Sequence, residues 1–189
     1  MNYWILTEQN NTILRQDQDG ILETYDFFAD QWKKSDFCPD GLQIFEDDAE
    51  MIRKAFKTAR KQHQGQTDKS GTDYIYHPVR VSQLVKGGPQ EITVALLHDV
   101  IEDTDMTLND LRESGFPKAV ISGVEAMTRL PGEPREHYLA RVKANPIARA
   151  IKLADLEHNS DLTRIPNPSA RDIARAESYL DEIKYLNER

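Results

Sequence analysis

The sequence predicts an all-α helical bundle preceded by a small α+β appendage. Three observations carry this. From Asp47 onward apolar residues recur at helical spacing. Prolines stand where first helical turns start. Neither the strand–helix–strand spacing of a parallel sheet nor a glycine-rich phosphate loop occurs. The expected division is residues 1–45 as the appendage and 46–189 as the bundle.

In the appendage, Tyr3 to Leu6 and Thr12 to Leu14 are short runs flanking Asn10-Asn11, the pattern of a small hairpin. Gly20 breaks the chain. Ile21, Leu22, Tyr25, Phe28, Ala29 and Trp32 then follow helical spacing, so a helix is expected there. Cys38-Pro39-Asp40-Gly41 reads as a turn. Trp4 and Trp32 are expected as packing anchors.

The bundle begins with Met51, Ile52, Ala55, Phe56 and Ala59 on one face of a helix running to about His63. A polar loop, 65–72, separates it from a helix opened near Pro78, with Val81, Leu84 and Val85 inward and Gly87-Gly88 closing it. Pro89 opens the central helix, whose inner residues are Ile92, Ala95, Leu96 and Val100. Thr107 caps the next helix, with Asp110 three positions on. Pro117 opens another, and one more spans about Arg135 to Lys143. Pro146 starts the helix that carries Ile147, Ala150, Ile151 and Ala154 into Asp155. Ser169 caps the last, patterned Ile173, Ala176, Leu180, Ile183 and Leu186. Seven or eight helices result.

Charge narrows the function. With 24 basic and 32 acidic residues the net charge is -8, which argues against a nucleic-acid polymer as partner. A small phosphorylated substrate stays compatible, because a bound cation reverses the local potential. The single cysteine forbids an intrachain disulfide and suits a reducing compartment, so a cytoplasmic location is expected. No apolar run approaches 18 residues and no signal-peptide pattern opens the chain, so no membrane is expected. Self-association stays open.

The chemistry centres on Ala95-Leu96-Leu97-His98-Asp99-Val100-Ile101-Glu102-Asp103-Thr104, an apolar run that turns into ionisable groups. If helical throughout, it sets His98 one turn from Glu102, and Asp99 one turn from Asp103. His77 stands before Pro78, whose ring restricts the backbone before it. Taken alone, His77 reads equally as a helix-cap or surface histidine, and Asp155 as a helix-end acid. Together, two imidazoles and two carboxylates from three segments form a mixed nitrogen–oxygen set. It suits Mn²⁺, Fe²⁺, Co²⁺ or Zn²⁺ better than a thiolate site would.

In order and local sequence these pieces resemble the HD-domain metal-dependent phosphohydrolases, and among them the hydrolase domain of RelA/SpoT-type alarmone enzymes, including small single-domain hydrolases. The resemblance is carried by the 63–71 run His-Gln-Gly-Gln-Thr-Asp-Lys-Ser-Gly, by Tyr74-Ile75-Tyr76-His77-Pro78, by the 95–104 stretch, and by Lys152-Leu153-Ala154-Asp155 with His158-Asn159. It covers about 47–186. It implies one Mn²⁺-like ion held by His77, His98, Asp99 and Asp155, with Glu102 and Asp103 as the acidic pair that handles water and protons. It implies substrate contacts at Lys69, Asn159, Arg175 and Tyr179, with Lys152 a further candidate. His63 reads as a loop-edge structural group, with a contact to the site as the alternative, and His137 and His158 read as structural or surface groups. The implied reaction removes the 3′-diphosphate from guanosine 3′,5′-bis(diphosphate).

Two departures bear on the substrate. Asp68 stands where the family carries arginine, and Leu156 where it carries a basic residue. Both remove positive charge. Two other readings follow: the same chemistry on another nucleotide or small phosphoester, and a nucleotide-binding regulatory module with little turnover.

Overall fold

The computed structural model describes residues 1–6, 12–16, 18–19, 21–26, 28–29, 31–35, 42–165 and 167–188. The expected turn at 38–41, Asn10-Asn11, Gly20 and the side chain of Trp4 lie outside them.

Five strands come first: β1 (Asn2–Leu6), β2 (Thr12–Gln16), β3 (Leu22–Asp26), β4 (Gln31–Lys34) and β5 (Leu42–Ile44). They form one antiparallel sheet in the order β4-β3-β2-β1-β5. The hairpin expected from Tyr3 and Thr12 is β1–β2, with Ile5 opposite Ile13. The helix expected over 21–32 is instead the hairpin β3–β4. Tyr25 and Trp32, seven positions apart and so read as one helix face, are cross-strand partners with rings 5.2 Å apart. The turn between them is fixed by Asp26, whose Oδ1 accepts from the amides of Phe28 and Ala29. That side chain takes the donors a helix would have used.

Tyr3, Ile5, Ile13, Tyr25 and Ile44 are buried and belong to the same apolar core as α1 (Glu46–Gln62). Phe28 completes the docking. Its ring stacks on Tyr76 at 4.6 Å and meets Phe56 edge-on at 5.6 Å, and its carbonyl accepts from Arg60. The sheet thereby braces α2 (Tyr76–Leu84) one residue from His77.

The bundle continues with α3 (Pro89–Leu97), α4 (Val100–Asp103), α5 (Leu108–Glu113), α6 (Lys118–Met127), α7 (Arg135–Ala144), α8 (Pro146–Ser160), a 3₁₀ turn (Leu162–Arg164) and α9 (Ala170–Asn187). These are the helices expected, with the single turn α4 added. The caps read at Thr107 and Ser169 form, each accepting from the backbone N–H three residues on. The core helix is α3, buried on every side from Ile92 to Leu97 and packed on α1, α2, α6 and α8. Among the described residues no helix is long and apolar enough to cross a membrane.

Gly123 lets α6 reach α3. A Cβ there would meet Val94 Cγ2 at 2.9 Å and Ile147 Cγ2 at 3.3 Å, between packed helices with no slack. Gly123→Ala is expected to destabilise the protein by about 1–3 kcal/mol, read from its denaturant midpoint.

Candidate metal centre and substrate cavity

The site is assembled where α2, the end of α3 and α8 meet. His77 lies in the first turn of α2, and the following Pro78 fits there because its missing N–H has no intrahelical partner to lose. His98 ends α3. Its ring Nδ1–H donates to the carbonyl of Ala95 at 2.7 Å, in competition with the helical backbone for that acceptor. The continuous helix through 95–104 considered from the sequence is therefore interrupted at His98-Asp99 and resumes as α4. The same bond fixes the tautomer and turns Nε2 inward. Asp155 lies on the inner face of α8.

One ligand-type atom from each of His77, His98 and Asp155 lies within 4.8 Å of the others. Asp99 joins them: its Oδ2 is 3.4 Å from His77 Nε2 and 3.1 Å from His98 Nε2, while Asp155 Oδ1 is 3.3 and 3.9 Å away from the same two nitrogens. His98 Nε2 is buried without a hydrogen-bond partner. A buried imidazole nitrogen facing two carboxylates is what a divalent cation requires. The electrostatics agree. Burial pushes His77 down, yet Asp155 and Asp99 outweigh it and lift the ring to about 9. Burial opposes ionisation of Asp155 as well, yet Lys152, His77 and His98 hold its carboxyl far below the usual range. The spot stabilises positive charge, and the donor set fits a divalent metal.

The supporting groups are specific. Asp155 Oδ1 accepts from Asn159 Nδ2 at 2.5 Å, and Oδ2 from Lys152 Nζ at 2.8 Å. Lys152 and Asn159, read as substrate contacts, thus hold Asp155 while also lining the cavity. His77 Nδ1 faces His158 Nδ1 at 2.8 Å. Burial, with the charges of His77 and Arg164 beside it, pushes His158 down to about 4, so the neutral ring accepts from His77. Of the two readings expected for His158, structural or surface group, the structure has the first: the ring is buried and supports His77. His158 lies three residues after Asp155, hence on the same helix face, and that spacing was the available signal. Tyr74 is a second group that drew no role from the sequence. Its O–H donates to Asp99 Oδ2 at 2.6 Å and lies 3.2 Å from Asp103 Oδ2.

The acidic pair divides. Burial, together with the negative charge of Asp99, pushes the Asp103 carboxyl up. Glu102 Oε2 instead accepts from the amide of Arg129, just beyond α6. Gln66 Nε2 donates to the Asp103 carbonyl, and Gln66 Oε1 pairs with His63 Nδ1, so His63 braces the same turn from the loop.

A cavity of about 360 Å³ opens over the cluster, within the range of small-ligand sites. Its lining brings together His77, Asp99 and Asp155 with Lys69, Lys152, Asn159, Arg175 and Tyr179. It adds Arg164, which the sequence reading did not single out. Asp172 Oδ1 accepts from Lys69 at 3.4 Å and Arg175 at 2.5 Å, tying α9 to the 65–72 loop. Leu156 is fully buried in the core. It is therefore a packing residue, one position around the helix from Asp155.

The family model described as HD domain matches residues 55–159. Among curated proteins, the chain is 43% identical over 128 residues to the bifunctional (p)ppGpp synthase/hydrolase SpoT of Escherichia coli strain K12, which covers 60% of this chain and 18% of that protein. It is 34% identical over 125 residues to a guanosine-3′,5′-bis(diphosphate) 3′-pyrophosphohydrolase of Aquifex aeolicus, again 60% of this chain and 18% of the other. The chain thus spans less than a fifth of the length of these relatives. A solved metazoan ortholog of SpoT, which hydrolyses ppGpp, shares the fold with TM-score 0.60 at 24% identity, over 72% of this chain and 85% of that one. All four converging groups, on α2, at the end of α3 and on α8, fall inside the matched stretch, which takes in more than half of the 189 residues, and the chain belongs to the HD-domain family.

Proposed function

We propose that this protein is a divalent-metal-dependent phosphohydrolase that removes the 3′-diphosphate of guanosine 3′,5′-bis(diphosphate) as pyrophosphate. The observation that carries the proposal is four converging ligand-type groups, three of them (His77, Asp99 and Asp155) lining a cavity walled by lysine and arginine and the fourth, His98, buried directly behind. The printed activities of the relatives support it. In this reading His77, His98, Asp99 and Asp155 hold one ion, taken as Mn²⁺, with Fe²⁺, Co²⁺ and Zn²⁺ chemically compatible. When bound, the ion supplies Lewis-acid chemistry, polarising a phosphoryl oxygen and acidifying a water.

The chain's own groups do the rest. Asp103 accepts the proton of the attacking water, as the acid of the pair that adjoins the cluster, its Oδ2 3.2 Å from the Tyr74 hydroxyl that also bonds Asp99. Tyr74, held protonated by burial and by Asp99, orients both carboxylates. Glu102 fixes the Arg129 amide and with it the segment just beyond α6. Lys69, Arg175 and Tyr179 bind the nucleotide from the loop and α9, and Lys152 and Asn159 hold Asp155 while bordering the same space. The partner is a small nucleotide, with neither a nucleic-acid polymer nor a membrane, and the location is cytoplasmic.

One observation favours a second reading, another nucleotide or small phosphoester as substrate: the Asp68 carboxylate in the cavity wall. Pyrophosphate release from guanosine 3′,5′-bis(diphosphate), measured with Mn²⁺ beside ordinary nucleoside di- and triphosphates, separates the two. Preferential turnover of the bis(diphosphate) is expected. Faster turnover of another nucleotide supports the second reading. No turnover at stoichiometric metal overturns both in favour of a binding module.

A further inference from the structure

Asp68 occupies the loop position where arginine was expected, in the wall of a cavity that must take anions. A free carboxylate there would repel phosphate. This one is taken up twice. Its Oδ1 accepts from the Ser70 amide at 2.8 Å, the Ser70 hydroxyl at 2.6 Å and the Thr72 amide at 3.0 Å, which folds the turn. Burial pushes the carboxyl up, but these bonds outweigh it and hold it below the usual carboxylate range. Its Oδ2 faces Arg164 Nη1 at 3.6 Å.

Arg164 reaches the cavity from the 3₁₀ turn after α8. It is the least satisfied cation there. Lys152 is bonded to Asp155 at 2.8 Å and Arg175 to Asp172 at 2.5 Å, and Lys69 reaches Asp172 at 3.4 Å. The separation from Asp68 exceeds normal hydrogen-bond length, and Arg164 Nε is buried with no hydrogen-bond partner. The side chain keeps 27% of its surface exposed. A guanidinium so placed, with donors to spare and a cavity in front of it, matches the fork geometry of a phosphate group.

We infer that Arg164 is a substrate-contacting residue that takes a phosphate group of the nucleotide, with Asp68 as the anchor that aims it. The pair moves positive charge from the loop to residue 164 and does not delete it. The inference rests on the phosphohydrolase reading above and goes beyond it by naming a specificity-determining group outside the site residues that the resemblance implies.

Arg164→Ala is expected to raise KM about tenfold or more, with Mn²⁺ content unchanged and kcat much less affected. Asp68→Asn is expected to raise KM as well, because the anchor is lost. A lowered KM in Asp68→Asn would show that the carboxylate merely repels substrate and would overturn the inference. The double variant Asp68→Arg/Arg164→Ala returns the cation to the loop and is expected to recover most of the lost KM. A residue with only a structural role would instead lower the melting temperature without that recovery. Should the alanine variant fail to fold, Arg164→Lys keeps the charge, and its loss of the bidentate fork is expected to raise KM several-fold; an unchanged KM overturns the inference. Calorimetric titration of the Mn²⁺-loaded proteins with inorganic pyrophosphate gives a readout independent of turnover. If the wild type turns over no nucleotide, the phosphohydrolase reading fails. Weaker pyrophosphate binding in Arg164→Ala would still assign the anion contact, and equal binding would remove it.

Discussion

Asp99→Ala is expected to lose the bound divalent ion and hydrolase activity together. Its Oδ2 is near both imidazole nitrogens, at 3.4 and 3.1 Å, and it also receives the Tyr74 hydroxyl. Removing it leaves His77 and His98 with Asp155 alone as counter-charge, and leaves the phenol without its shorter acceptor. A bound Lewis acid contributes several kcal/mol to the transition state, so about 4 kcal/mol, or about a thousandfold in kcat/KM, is the expected loss. Metal analysis of the purified variant is the check. Full metal content in Asp99→Ala, and in a companion His98→Ala, would remove the assignment of the whole cluster.

Asp103→Asn is expected to keep the metal and still lose about a hundredfold or more in kcat, the usual contribution of a positioned proton acceptor. Glu102→Gln is expected to lose less, because the Glu102 carboxylate is bonded to the Arg129 amide just beyond α6 and does not line the cavity. The two residues are neighbours in sequence, and α4 turns their side chains to different partners. Steady-state kinetics on both variants, each assayed for bound Mn²⁺, decide between them. Equal losses, or a larger one in Glu102→Gln, would overturn the assignment of Asp103 as acceptor.

The helical body was legible because its period and its punctuation agreed. Pro89, Thr107, Pro146 and Ser169 mark starts that the structure keeps. The sheet was half legible. Seven positions separate Tyr25 from Trp32 both on a helix face and across the β3–β4 hairpin, and only the bonds from Asp26 to the turn amides tell them apart. The candidate ligands could be gathered by residue type and order, and their meeting point follows from the packing of three helices. What stayed hidden were bonds between side chain and backbone, or between distant segments. The His98 ring taking the Ala95 carbonyl broke a helix that periodicity extends through Val100. Arg164 facing Asp68 joins the end of α8 to a loop far back in the chain, which no local pattern reports. Leu156 looked like a lost charge at the site and is a core residue, because one step along α8 turns a side chain about 100°.

Lys152, Asp155, His158 and Asn159 are spaced by three and four residues on α8. Spacings this short are set by the rotation of the helix itself, so Lys152 and Asn159 stay with the Asp155 carboxylate wherever α8 sits. In the folded protein a shift of α8 against α2 and α3 therefore changes the distance from Asp155 to the two imidazoles and leaves the aim of its carboxylate intact.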